Sequence, residues 1–380
     1  MVGTLGEGRL KLARGVGPVP GVLAVGGVSS TVRWWSWGAV NVPIRSLWKK
    51  SVRRALETVV ECRQGTPFTL VDVGASGGVA PRWQMLGSAL EVIGFEPDES
   101  ELKRLQRERP GRWFGSALGG ATGRRTLHIT RAQTNTSLLR PDIAVIEKLQ
   151  WSRESPTRDF EIVREVEIQC VTLDEVLQAE ALHPDYLKLD TQGTELEILR
   201  CANRALHDDV VLVEMEVEFA PIYSGQPLFA DVDSYMRGKG FILQDIGNVL
   251  YMKPAAMAGV GGAKGRIISA DALYVKDFTH SLDALLRDDP KKILACVAGY
   301  LVYGYPELAL VLLDEALAKG GESGPIETVR AAVRGASPPS HVRVGTRAQR
   351  LLARLGQEAW YRLRGTEHCL WDWPLGNDVL

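Results

Sequence analysis

Two apolar periods alternate along the middle of the chain. Between Phe68 and Phe278, short apolar runs closed by glycine, proline or an acid are followed by stretches with apolar residues every three to four positions. "FTLVDVG", "LEVIGFEP", "DYLKLD" and "VVLVEMEVE" predict strands, and "WFGSALGG", "RRTLHIT" and "REVEIQCV" predict more. Helices are predicted over residues 79–90, in "ESELKRLQRER" as far as Pro110, and in "VTLDEVLQAE", "TELEILRCANRAL" and "DVDSYMRGKG". Strands and helices alternating at this spacing predict an α/β fold: a doubly wound, mostly parallel, seven-stranded Rossmann-like sheet with helices on both faces. The last two strands, "FILQDIGNVLYMKP" and "GRIISADALYVKD", have only the loop "AGVGGAKG" between them. They predict a terminal antiparallel hairpin, a feature that an all-parallel nucleotide-binding sheet lacks.

This block, residues 67–278, has different neighbours on each side. Residues 1–42 are rich in glycine and proline, hold no period and read as a loose segment. Residues 43–66 carry a helical stripe of Leu47, Trp48, Val52, Ala55, Leu56, Val59 and Val60 with a basic opposite face. Residues 279–380 read as a helical appendage, then the linker "ASPPSHV", a basic helix over 346–364 and a tryptophan-rich tail. Gly299, Pro306 and Ala309 loosely match one tetratricopeptide unit, but one unit makes no solenoid, so a packed appendage is expected.

Composition narrows the class. The 380 residues are 45% hydrophobic and 24% charged, enough for a sizeable core, and a net charge of -1 argues against bulk nucleic-acid binding. Basic residues nevertheless crowd the start: Arg9, Lys11, Arg14, Arg33, Arg45, Lys49, Lys50, Arg53 and Arg54 face only Glu7. With Trp34, Trp35 and Trp37 they suit peripheral contact with an anionic membrane or a lipid-linked glycan. The plainer reading is a packed helix with a solvated face. The five cysteines are scattered without a C-x-x-C, as in a reduced, cytoplasmic chain. No apolar run reaches the roughly 20 residues that span a bilayer.

In doubly wound folds ligands bind outside the carboxyl ends of the strands. After the first predicted strand, "VDVGASGG" places Gly74 and Gly78 where the backbone turns tightly, ahead of a helix whose N-terminus would favour an anionic group. After the second, Glu96 in "GFEP" is placed to accept hydrogen bonds from a ribose diol. These features leave NAD and S-adenosylmethionine open. A pyrophosphate would be repelled by Asp72 at the head of the loop, whereas an ammonium or sulfonium would not.

Taken together, "VDVGASGG", "GFEPD", "VTLDEVL", "DYLKLDTQGTELEIL" and "EMEVEFAPIYSGQPLFADVDSYMRGKGF" resemble the FkbM family of S-adenosylmethionine-dependent methyltransferases over roughly residues 68–276. The resemblance implies that Asp72, Gly74, Ala75, Ser76, Gly78, Glu96 and Ala117 hold the cofactor. Ser76 departs from the asparagine often found there, which implies an altered contact to the methionine part. The resemblance implies methyl transfer to a hydroxyl of a sugar, glycan or small natural product. Tyr223 and Gln226, in a long loop, would then contact the acceptor. Asn135 and Ser137 of "QTNTSLL" read either as lining of the acceptor pocket or as an ordinary polar turn.

Asp190 ends the strand "DYLKLD", where the implied methyl donor would lie. Local needs are met by others: Gly193 makes the turn, and Thr194 with Glu197 spells a capping box. Asp190 therefore reads as a carboxylate beside the sulfonium or the acceptor hydroxyl, the alternative being an Asx-turn. An alcohol needs its proton removed, so a base or a metal helps. Glu214, Glu216 and Glu218 alternate onto one strand face, and Glu214 is expected to reach the site as the second catalytic carboxylate. Asp190 and Glu214 could together hold a Mg²⁺ ion. Lys188 is expected on the other strand face, paired with a carboxylate. Two rivals stay open: an NAD-dependent oxidoreductase on the same topology, and a non-catalytic scaffold.

Overall fold

The protein is described by a computed structural model covering residues 42–75, 78–149, 155, 157–257, 265–279, 282, 291–321, 323–336 and 369–371. The expectations for residues 1–41 with their tryptophans, for Ser76, for most of the "AGVGGAKG" loop, for residues 283–290, and for the linker and basic helix of 337–364 lie outside the described residues.

Eleven strands are described: β1 (Phe68–Val73), β2 (Leu90–Phe95), β3 (Arg112–Phe114), β4 (Ala117–Leu118), β5 (Gly123–Thr130), β6 (Ile162–Val171), β7 (Tyr186–Leu189), β8 (Leu212–Glu218), β9 (Phe241–Met252), β10 (Arg266–Lys276) and β11 (Cys369–Trp371). Nine α-helices are described: α1 (Val42–Cys62), α2 (Glu99–Glu108), α3 (Ile143–Ile146), α4 (Leu173–Ala179), α5 (Glu195–Arg200), α6 (Phe229–Gly238), α7 (Lys291–Val302), α8 (Pro306–Ala318) and α9 (Ser323–Ala336).

The main sheet runs β11-β9-β10-β8-β7-β1-β2-β3. β1, β2, β3, β7 and β8 pair in parallel, while β10 pairs antiparallel with both β8 and β9. This is the predicted seven-stranded, mostly parallel sheet with its hairpin, extended at one edge by β11 against β9. β1 is buried at all six positions, as a central strand covered on both faces must be. Strand order reverses between β1 and β7, which opens a crevice at their carboxyl ends.

One sequence expectation is corrected. "SALGG", "RRTLHIT" and "REVEIQCV" do not join the parallel sheet. β5 and β6 form an antiparallel ladder from Gly123↔Cys170 to Thr130↔Ile162, with β4 on the far side of β6, as a separate three-stranded sheet. Short strands read by periodicity alone carry no information about which sheet they enter. The helix predicted over residues 79–90 is present as a 3₁₀-helix, Pro81–Ala89, broken at Gly87 (φ 53°). Pro81 opens it and Gly87 enters the left-handed region, while Trp83 and Leu86 pin it to the core.

The core has a layer on each sheet face. One layer joins Val52, Leu56 and Val59 of α1 to Phe68, Leu70, Trp83 and Tyr186, and to α7, α8 and α9 through residues such as Leu301, Leu313 and Val333. Val52, Ala55, Leu56 and Val59 of the amphipathic stripe bury there, while Lys50, Arg53 and Arg54 stay exposed. The other layer packs Leu196, Leu199, Val232 and Met236 on Val71, Leu187 and Val213. Fully burying each such side chain contributes about 1.5–3 kcal/mol.

The appendage is fastened as well as packed. Arg63 pairs with Asp185 at 3.2 Å, and Lys292 of α7 reaches Asp185 at 3.8 Å and the Asp209 carboxylate at 3.9 Å. A Cβ on Gly299 would lie 3.1 Å from Leu212 and 3.2 Å from Tyr186, so α7 sits directly on the sheet. Cys62, Cys170, Cys201 and Cys296 are free thiols, and no described helix is long and apolar enough to cross a membrane.

Candidate active site

A cavity of about 500 Å³ opens at the carboxyl ends of β1, β2 and β7, where the strand order reverses. Glu96 and Asp98 line one end; Asp190, Gln192 and Glu216 line the other. Ala117, Leu118, Leu127 and Ile129 supply apolar wall, and the 133–138 loop closes a side. No basic side chain is among the described lining residues.

The floor is set by backbone approach. Gly74 has φ +73°, and a Cβ on it would come within 1.9 Å of the Asp190 carbonyl oxygen. The Asp190 amide donates to the Val73 carbonyl at 3.0 Å, which locks the two strand ends together. The amides of Gly74 and Ala75 donate to the Phe95 carbonyl at 3.1 and 3.4 Å, and Gly78 donates to Ala75 at 2.8 Å. These amides are thus spent inside the protein. Ser76 and Gly77, in the middle of the loop, lie outside the described residues, and the helix that follows is a 3₁₀-helix.

At the first end, Glu96 is 6% exposed and its Oε1 accepts the Asp98 amide at 2.9 Å. Asp98 caps α2 by accepting from Ser100 and Glu101 amides. Burial pushes the Glu96 carboxyl up to about 7; the Asp98 amide opposes this, and the charges of Asp98, Glu101 and Asp72 add to it.

At the second end, Asp190 has a side chain 46% exposed. Gln192 is the hub there. Its backbone is in the left-handed region (φ 57°), and its amide nitrogen donates to Glu216 Oε2 at 2.6 Å and to Asp190 Oδ1 at 3.3 Å. Its Oε1 lies 3.2 Å from the Tyr223 hydroxyl, and its backbone carbonyl accepts the Ser137 hydroxyl at 2.8 Å. A strained non-glycine residue with four such contacts is held there by its surroundings. Burial raises the Glu216 carboxyl well above its ordinary range, aided by Asp190, Glu195 and Asp271.

The predicted cap is different. Thr194 makes no capping bond, and its hydroxyl donates to Thr191 at 2.9 Å. Glu197 instead accepts from the Gly120 amide at 2.8 Å and from Arg125 at 2.6 Å. The turn is tied by Glu195, whose carboxylate accepts the Thr191 and Gly193 amides at 2.7 and 3.0 Å. Lys188 is also corrected. It lies on the same face as Asp190, with Nζ 3.3 Å from Asp72 and 3.6 Å from Asp190.

Of the sequence candidates, the structure gathers Gly74, Glu96, Ala117, Ser137 and Asp190 around the cavity. Asp72 is fully buried beneath it, with Oδ1 on Lys188 and Oδ2 unpartnered. Ala75 and Gly78 lie in the adjoining loop, while Ser76 falls outside the described residues. Glu214 does not line the cavity; it accepts the Tyr303 hydroxyl, and Glu216 takes the position expected of it. Alternation puts both on one face, but two residues along a strand shift a side chain by about 6.6 Å toward its carboxyl end. Tyr223 is fully buried, its hydroxyl near the Asn135 carbonyl and Gln192, and Gln226 accepts the Tyr223 amide. Asn135, Tyr223 and Gln226 back the wall without lining it. Asp190 lines the cavity and Glu214 does not, and among the described residues no group of three or more His, Cys, Asp or Glu is arranged to hold a metal. Gln192 and Asp98 went unread in the sequence.

The sequence profile of the methyltransferase FkbM domain matches residues 72–243. No curated protein matches the chain. Among solved structures, methyltransferase FkbM from Methylobacillus flagellatus is 16% identical, covering 63% of this chain and 60% of that one, with a TM-score of 0.30. Precorrin-6y C5,15-methyltransferase from Geobacter metallireducens is 11% identical over 62% of this chain and 88% of its own, TM-score 0.28. A TehB-like SAM-dependent methyltransferase from Corynebacterium glutamicum is 10% identical over 58% and 88%, TM-score 0.25. The chain thus spans 60% of the length of the first of these.

Proposed function

Since residues 72–243 are a methyltransferase FkbM domain, we propose that this protein transfers a methyl group from S-adenosylmethionine to a hydroxyl of a sugar, glycan or small natural-product acceptor. The observation that carries the reading is one cavity, walled by carboxylates and free of described basic residues, into which Glu96 and Asp190 both open.

The residues fit the cofactor. Glu96 would receive the ribose diol, and the acid-lined far end favours positive charge. A pyrophosphate fits worse: the Gly74 and Ala75 amides are already engaged, and every charged group described on the lining is an acid. S-adenosylmethionine, when bound, supplies an electrophilic methyl on a positively charged sulfur. The chain's share is positioning and proton handling. Asp190, the more solvent-open carboxylate, takes the acceptor proton. Gln192 fixes Asp190 relative to Glu216, whose carboxyl accepts the Gln192 amide and stands beside the acceptor as a further polar partner. The hydroxyls of Thr134, Thr136 and Thr191 give a polyhydroxyl acceptor further partners.

The proposal places the enzyme in the cytoplasm, with exposed Lys50, Arg53 and Arg54 of α1 available for an anionic membrane surface. Incubation with methyl-labelled cofactor and a panel of glycans and small-molecule extracts tests the activity. Mass spectrometry should find an acceptor in which one hydrogen is replaced by the labelled methyl, with fragmentation placing the label on oxygen; label only on nitrogen, or no transfer, contradicts it.

A further inference from the structure

We propose that Tyr303, in the C-terminal helices outside the FkbM match, is a positioning residue for the Asp190 end of the cavity and acts through Glu214 and Lys188. The inference rests on the reading of that cavity as an S-adenosylmethionine site. Asp72, Lys188 and Glu214 are direct cross-strand partners on β1, β7 and β8, a row of acid, base and acid across one sheet face. Lys188 Nζ lies 3.3 Å from Asp72 Oδ1 and 3.6 Å from Asp190 Oδ2, so the row ends at a carboxylate that lines the cavity.

The other end of the row is closed by the appendage. The Tyr303 hydroxyl donates to Glu214 Oε2. The ring is 1% exposed, set edge-on to Trp83 at 5.8 Å and lying 4.8 Å beneath the Arg82 guanidinium. Glu214 therefore stands between a hydroxyl and an ammonium. While Tyr303 holds it, Lys188 is left to Asp72 and Asp190. Without that hydroxyl a buried carboxylate oxygen loses its partner, which is costly unless it turns to Lys188. The ammonium is then drawn off Asp190, and that carboxylate faces the cavity unneutralised.

A second contact supplies the control. Tyr305 donates to Asp245 Oδ2 at 2.6 Å, a similar tie from the same turn to β9, outside the row. Isothermal titration of the full chain with S-adenosylmethionine and with S-adenosylhomocysteine reads the field at the sulfur, because only the first is a sulfonium. Tyr303→Phe is expected to raise the preference for the sulfonium at least threefold, and Tyr305→Phe to leave it unchanged. An unchanged ratio in Tyr303→Phe, or an equal change in Tyr305→Phe, overturns the proposal. Should Tyr303→Phe not fold, Glu214→Gln, which keeps the tyrosine contact and removes the competing charge, is expected to lower the ratio at least twofold; no change overturns the proposal. Wild-type protein that binds neither compound overturns the cofactor reading itself, a result seen before any variant is made.

Discussion

Gly74 and Asp190 touch through their backbones: the position of a Cβ on Gly74 is 1.9 Å from the Asp190 carbonyl oxygen. The contact joins the end of β1 to the end of β7 at the strand-order reversal, and it leaves no room for a side chain. Gly74→Ala adds a left-handed backbone cost of about 1–2 kcal/mol to a clash with a main chain that cannot turn aside. Cofactor affinity is expected to fall at least tenfold and the melting temperature by several degrees, measured by titration and calorimetry.

Glu96 predicts a pH dependence. Its folded carboxyl is raised from 4.5 to about 7, mainly by burial. The folded state therefore holds a proton that the unfolded state releases, and this group's cost to stability grows as pH rises from about 4.5 to 7. Glu96→Gln should leave stability unchanged near pH 4 and increase it above pH 7, on the order of 3 kcal/mol. Cofactor affinity runs the other way: it should tighten from pH 6 to 8 in the wild type, as the carboxylate ionises to accept the diol, and be weak and pH-independent in the variant.

The buried cluster at the base of β7 predicts how the appendage is held. Asp185 lies between Arg63 and Lys292, with burial raising its carboxyl and the two cations opposing that rise. Asp185→Ala leaves the buried Arg63 without its carboxylate and Lys292 with Asp209 alone, and is expected to cost about 3–5 kcal/mol by denaturant unfolding. A loss under 1 kcal/mol would show that the cluster does not fasten α7.

The sheet was legible because its signals are local. β1 is apolar but for Thr69 and Asp72, β8 alternates apolar residues with Glu214, Glu216 and Glu218, and the missing helix between β9 and β10 announces their hairpin. Glu96 and Asp190 were legible because they follow strands directly. What the sequence hid depends on distance along a strand or on competition for partners. Glu214 and Glu216 share a face, and only their different heights send one to Tyr303 and the other to the cavity. Thr194 and Glu197 have the spacing of a capping box, but Arg125 of β5 and the Gly120 amide before it claim Glu197 first. Gln192 looks like an ordinary turn residue until its left-handed backbone and its two carboxylate contacts are seen together.

That hub gives a further prediction. Gln192→Ala removes the donor shared by Asp190 and Glu216. Methyl transfer is expected to fall about 10²-fold through misplacement, with cofactor affinity within threefold of wild type. Glu216→Gln, which keeps the shape, should show a smaller loss. Equal losses of binding and transfer in Gln192→Ala would make its role structural.

The central claim is a single cavity in which Glu96 grips the ribose and Asp190 faces the sulfonium. Isothermal titration of S-adenosylmethionine into wild type, Glu96→Ala and Asp190→Asn tests it most directly. The predicted result is one site per chain, a loss of tenfold or more in Glu96→Ala, and retained binding with transfer abolished in Asp190→Asn. Affinity unchanged in Glu96→Ala, or transfer intact in Asp190→Asn, would contradict the account.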